Sequence, residues 1–231
     1  MEQAKLFLQA VQDGNEELML EFIARHNTEV DVSIPGFRQT ALMTAAACAR
    51  DDLVYKLLLA GALVDLGDFH RNTALHYAVT SKQDPYLIRR CVAALLEKCP
   101  SVIQLRNDTG ETPLHAAIRS KYRFAEELCQ WPGVLKLQDV HGETPLHYAI
   151  RDENAALIRK MVRAGAELRA VNNHGFNAVM LAAQIGSLKC LKLCCELDPE
   201  LARVPKSDGW TTLHLACYNG HGHIVQYLVD E

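Results

Sequence analysis

This chain has no apolar run long enough to cross a bilayer: the stretch around Leu53–Val64 is interrupted by Lys56, and Ala41–Ala49 is too short. No secretory signal is visible either, because Met1-Glu2-Gln3-Ala4-Lys5 does not read as a basic region followed by an apolar core and a cleavage site. It has no excess of positive charge. With 24 Lys and Arg against 28 Asp and Glu, its net charge is −4, so the electrostatic footprint of a nucleic-acid binder is missing. Glycine and proline are sparse, at 13 and 8, which leaves no room for a long disordered tract, while 49% apolar residues suit a packed protein. No Gly-rich phosphate loop, G-x-S-x-G elbow or H-E-x-x-H pair occurs. These absences lead us to expect no catalysis, cofactor, metal, small-molecule substrate, nucleic acid or membrane.

Cysteine, by contrast, is plentiful. The eight residues (Cys48, Cys91, Cys99, Cys129, Cys190, Cys194, Cys195, Cys217) show no paired spacing that recurs along the chain. The expectation is reduced thiols filling a helical core, and hence a cytoplasmic or nuclear protein. Cys190 and Cys194 are four apart, which could place two thiolates on one helix face. A structural zinc needs four ligands, however, and no second pair lies nearby.

What the chain does have is one short phrase, repeated. Thr112-Pro113-Leu114-His115 and Thr144-Pro145-Leu146-His147 are identical, and Thr73-Ala74-Leu75-His76 and Thr211-Thr212-Leu213-His214 are near copies. Thr40-Ala41-Leu42-Met43 and Asn177-Ala178-Val179-Met180 are worn ones, and the steps between the six are 33, 39, 32, 33 and 34 residues. On this signature and period the sequence resembles the ankyrin-repeat family. The resemblance implies an all-α solenoid of about seven helix-turn-helix repeats joined by β-hairpin loops, with each repeat stabilised by its neighbours.

The expected organisation is a single domain over 1–231, monomeric: a capping repeat at 1–35, then repeats at 36–67, 68–106, 107–138, 139–171, 172–205 and 206–231. In the 139–171 copy, Gly142 suits a hairpin turn, Thr144 caps the first helix and Pro145 opens it. Ala155 to Arg163 forms the second helix, and Gly165 ends it. Arg38 and Arg71 stand where other copies have the turn glycine, which predicts reshaped loops there. The 39-residue step predicts an insertion around Ser81–Ile88 or Lys98–Ile103. The last helix pair has no polar cap after it, so the expectation is either a fragment of a longer protein or an end that tolerates fraying.

The resemblance assigns His76, His115, His147 and His214 to hydrogen bonds that tie repeat to repeat. It leaves function to the loop tips and the outward side of each first helix, a concave face suited to a protein or peptide partner. The candidate contacts are Phe37, Phe69, His70, Glu111, Arg119, His141, Arg151, His174, Phe176, Trp210 and Tyr218. Aromatic side chains and arginine are what binding hot spots favour. The leading expectation is a non-catalytic interaction module, of the kind found in signalling, transcription-regulatory or ubiquitin-ligase adaptors. The alternative is the targeting or regulatory region of a larger multidomain enzyme or channel, truncated after residue 231.

Overall fold

The repeated phrase starts a helix because its first and last residues satisfy the helix's open end together. In the computed structural model, which describes residues 2–15, 17–19, 21–22, 30–31 and 38–230, Thr144 is extended and precedes the helix Pro145–Arg151. The Thr144 N–H donates to His147 Nδ1 at 3.2 Å, and its hydroxyl lies 2.8 Å from the same nitrogen. Because Nδ1 accepts a backbone N–H, the ring proton belongs on Nε2, which donates to the carbonyl of Phe176 at 3.1 Å. One imidazole therefore closes its own helix start and holds the next repeat's loop. His76 does the same with Thr73 and the Glu111 carbonyl. In the worn copies Thr40 Oγ1 and Asn177 Oδ1 still accept the N–H of the residue three ahead.

The chain folds as two compact units, Met1–Ala125 and Glu126–Glu231. In the first, the helix Glu2–Asp13 is followed by helical residues at 17–19 and 21–22, with the Phe7 and Phe22 rings stacked 4.3 Å apart. The pairs Ala41–Ala47 with Asp51–Leu59 and Ala74–Thr80 with Pro85–Lys98 come next, then the helix Pro113–Arg119. The second unit holds the pairs Pro145–Arg151 with Ala155–Arg163, Ala178–Ile185 with Leu188–Leu197, and Thr212–Tyr218 with Gly222–Asp230. A short helix, Ala125–Leu128, falls at the division. No strand occurs among the described residues, so the expected β-hairpins are tight turns without a ladder. Each is closed by two backbone bonds: the N–H of Asp68, Asn107, Asp139, Asn172 or Lys206 donates to the carbonyl four residues on, and the carbonyl of that same residue accepts from the N–H three residues on.

Two recurrent positions bend the chain through the left-handed region, the second of them absent from the repeat capped by Thr73. Two residues before the cap stand Arg38, Arg71, Gly110, Gly142, Gly175 and Gly209, all with positive φ. Nine residues after the cap stand Ala49, Lys121, Glu153, Gly186 and Gly220, again with positive φ. The loop at Arg71 is not reshaped as expected. Arg71 takes φ 61°, close to the 71° of Gly142, and the closing bond from Asp68 to Asn72 is retained at 3.0 Å. The Asp68 carboxylate explains this, since its Oδ1 accepts from the N–H groups of His70 (2.9 Å) and Asn72 (2.7 Å). Those bonds outweigh a left-handed cost of about 1–2 kcal/mol for a residue with a Cβ. At Arg38, φ is 52°, and the residues before it lie outside the described ones.

The long step between repeats is taken up by the second helix. Pro85–Lys98 has 14 residues where Ala155–Arg163 has nine, and a 3-10 turn, Pro100–Gln104, follows it. No disulfide joins any of the eight cysteines, but they are not all core: Cys91, Cys129, Cys190 and Cys194 are buried, whereas Cys217 is exposed. Burial pushes the Cys194 and Cys91 thiols up to about 12.

Candidate functional site: the loop tips and first helices

Each loop is a small scaffold that fixes its tip residues in solvent. In the second unit, Asp139 Oδ1 accepts from the N–H groups of His141 and Glu143, both at 2.8 Å, and its Oδ2 accepts from the Tyr148 hydroxyl at 2.8 Å. Asn172 Oδ1 likewise accepts from His174 and Phe176, and the Asn173 N–H reaches the His141 carbonyl at 2.9 Å. His141 and His174 therefore project from neighbouring, hydrogen-bonded tips. The first unit repeats the device: the Tyr77 hydroxyl donates to Asp68 Oδ2, and the Asp108 N–H donates to the His70 carbonyl. Phe69, 63% exposed, and His70 stand on that tip.

The residue just before the cap and the residue eight further on form a recurrent pair on the outward side of the first helix. In one copy it is an ion pair, Arg119 donating to both oxygens of the buried Glu111 at 2.8 and 2.9 Å. In the next it is again an ion pair, with Arg151 Nη2 at 2.5 Å and Nε at 3.0 Å from the two oxygens of Glu143. Burial alone would raise the Glu143 carboxyl, but the Arg151 guanidinium outweighs it and holds the group below its usual range. Asn172 Nδ2 joins this pair from the adjacent loop at 3.3 Å.

In the last copy the same two positions carry Trp210 and Tyr218. Their rings meet edge to face at 5.5 Å, and Trp210 also lies 6.0 Å from the His214 ring. Trp210 is 37% exposed and Tyr218 78% exposed. A buried carboxylate held by a partly exposed arginine has thus been replaced by an exposed aromatic pair.

The structure places the expected contact residues unevenly. Phe69, His70, His141, His174, Trp210 and Tyr218 are exposed. Phe176 is not on a solvated tip: it is 8% exposed, stacked against His174, and has Lys206 Nζ 5.4 Å from its ring centroid. Glu111 is buried, and Arg119 and Arg151 are held on carboxylates within their own repeats. Phe37 lies outside the described residues. What the sequence reading missed is the recurrent cap-preceding pair. Its signal was present, since Glu111/Arg119 and Glu143/Arg151 share one spacing. No group of three His, Cys, Asp or Glu side chains suited to a metal occurs among the described residues.

Comparison with known proteins places this architecture. The chain is 30% identical over 163 residues to the nuclear factor NF-kappa-B p105 subunit of Gallus gallus, covering 67% of this chain but only 16% of that protein. It is 29% identical over 79 residues to the Notch-regulated ankyrin repeat-containing protein of Xenopus tropicalis, covering 34% of this chain and 68% of the relative. Among solved structures, the ankyrin repeat domain of Bcl-3 superposes with a TM-score of 0.78 at 24% identity, over 91% of this chain and 92% of that one. The human ASB11 ankyrin repeat domain gives 0.73 at 21% identity, over 91% and 90%. The model for ankyrin repeats matches in three overlapping copies, at residues 7–104, 88–172 and 152–231. By its phrase, its helix pairs and this match, the chain belongs to the ankyrin-repeat family.

Proposed function

We propose that the chain is a non-catalytic recognition module that binds a segment of another protein, with Trp210 and Tyr218 as its apolar anchor. One observation carries the reading. At the two positions where earlier repeats hold a Glu–Arg pair, this repeat exposes two large aromatic rings that the fold does not require. Exposed Trp and Tyr on rigid elements are what energetic hot spots are made of. His141 and His174 supply polar contacts in the same unit, and Phe69 and His70 are a separate contact point in the first. Glu111, Arg119 and Arg151 act by shaping the surface, because their charges are already paired.

The relatives support an adaptor in signalling or transcriptional control, since their names include a nuclear-factor subunit and a Notch-regulated protein. A second reading is that this chain is the regulatory ankyrin region of a larger protein. It is favoured by the alignment, which spans 16% of the p105 subunit.

The test uses a partner isolated by affinity capture and then titrated calorimetrically against purified variants. Removing one anchor costs about 2 kcal/mol, roughly a thirty-fold loss in affinity, so Trp210→Ala and Tyr218→Ala should each bind at least ten-fold more weakly, with unchanged melting. Glu17→Ala, on an exposed position of the first unit, should bind as wild type. If both aromatic variants keep full affinity, the contact surface lies elsewhere.

A further inference from the structure

Beside the aromatic anchor, one fixed hydrogen-bond donor is left over from the repeat chemistry. At the start of the helix Thr212–Tyr218, His214 Nδ1 accepts the Thr211 N–H at 3.2 Å and lies 2.8 Å from the Thr211 hydroxyl. The ring proton therefore belongs on Nε2, and the ring cannot turn without opening the cap. Where His76 and His147 make the same closure, Nε2 donates at 3.1 Å to a backbone carbonyl, that of Glu111 or Phe176, just before the next cap. His214 Nε2 meets no acceptor among the described residues, and the ring is exposed.

The apolar surface around it is uncovered in the same register. Leu213 is partly exposed, whereas Leu75, Leu114 and Leu146 in that place are buried. Cys217 is exposed, whereas Val79, Ile118 and Ile150 in its place are buried. Trp210 borders the patch, 6.0 Å from the His214 ring. The charges nearby are already engaged. Lys206 pairs with Asp208 at 2.8 Å, and both Asp230 oxygens accept from Gln226. Of the charged groups that share a cavity with Leu213, Glu196 pairs with Arg159, Glu200 pairs with Arg203, and Lys192 lies over the Tyr227 ring.

We propose that the partner segment is extended and uncharged where it crosses this patch, and that it presents a backbone carbonyl to His214 Nε2, an inference that rests on the anchor reading above. The chain's own loops show the form of such a ligand, since Glu111 and Phe176 bring a non-helical carbonyl to the same nitrogen. A carbonyl inside a helix is already bonded to its own N–H four residues on, so a free one belongs to an extended segment. An apolar side chain fits Leu213 and Cys217, because a carboxylate or ammonium there would give up water without gaining a partner. His214 reads the main chain of the partner, and the two rings read its side chains.

The test selects random phage-displayed peptides on the full chain and titrates, by fluorescence anisotropy, those that Trp210→Ala weakens. They should carry large apolar residues with no charge between them. His214→Met removes the donor and keeps the cap, because Met43 holds the same place in this chain with the Thr40 N–H on its sulfur at 3.5 Å. This variant should melt as wild type and bind the peptides about three- to ten-fold more weakly, the worth of one hydrogen bond. An amide-to-ester scan of one peptide weakens its carbonyls one at a time. It should find one position that costs affinity for the wild type and nothing further for His214→Met. If peptides that need Trp210 bind His214→Met at full affinity, the proposal falls and the anchor stands. If every selected peptide binds Trp210→Ala as tightly as wild type, the anchor reading falls and this proposal with it. Peptides that depend on an acid or a lysine would also overturn it. So would a dimer, seen by light scattering, that Leu213→Asp dissolves, since the patch would then belong to a second copy.

Discussion

At the scale of single residues, the repeat histidines show how one imidazole sets a pH dependence. Burial pulls His76 and His147 below their ordinary value of 6.5, against the opposing pull of the carbonyls of Glu111 and Phe176. The folded chain therefore keeps them neutral where the unfolded chain would protonate them. Their contribution to stability is complete above about pH 6.5 and is lost as the pH falls below it. Glu143 does not enter that window, because its titration is held below 4.5. The melting temperature should fall between pH 7.5 and 5.5, by about 2–4 °C for each kcal/mol lost, and the double variant His76→Gln/His147→Gln should flatten that slope. Equal melting of the wild type at both pH values would show that the folded protein protonates these rings. The Thr-x-x-His role was legible in the sequence because it is local and repeated. The burial of Phe176 was not, since Lys206, which lies over its ring, comes from the following repeat.

At the scale of elements, the loops show what sequence pattern captures and what it leaves out. Caps, prolines and helix starts were readable because each depends on residues within one turn of the chain. The loop at Arg71 departs from the expectation because glycine is not indispensable there: the Asp68 carboxylate holds the turn without it. A sharp contrast between two loops follows. Arg71→Gly removes a left-handed Cβ and should stabilise the first unit by about 0.5–1 kcal/mol after glycine's entropy is counted. Gly142→Ala should do the opposite. It adds a Cβ at φ 71° that would lie 2.8 Å from the Asn173 backbone nitrogen, on the segment that carries the inter-loop bond to His141. A loss of about 2 kcal/mol or more is expected by denaturant titration. Should both changes prove neutral, the left-handed positions would not be the constraint described here.

At the scale of the molecule, the six phrases were enough to identify the architecture, because a solenoid repeats its evidence. The candidate surfaces were only partly legible. The aromatic pair at Trp210 and Tyr218 could be placed by counting from the cap, but the covering of Phe176 depends on Lys206 from the following repeat. Burial within the second unit is also graded in a way that composition does not reveal. The helix Ala178–Ile185 has six buried residues, whereas Gly222–Asp230 buries only Ile224. In the repeat phrase, Leu146 and His147 are fully buried, but their counterparts Leu213 and His214 are exposed. Stability in a repeat array is the sum of each repeat's own term and its contacts with neighbours, so opening should begin where burial is least. Native-state hydrogen exchange followed by NMR should therefore find amides of residues 222–230 exchanging through local fraying with little protection. Those of residues 178–185 should exchange only through the unfolding of the unit. Uniform protection across both helices would mean that the second unit opens as a single cooperative block, and that exposure along the array does not set the order of unfolding.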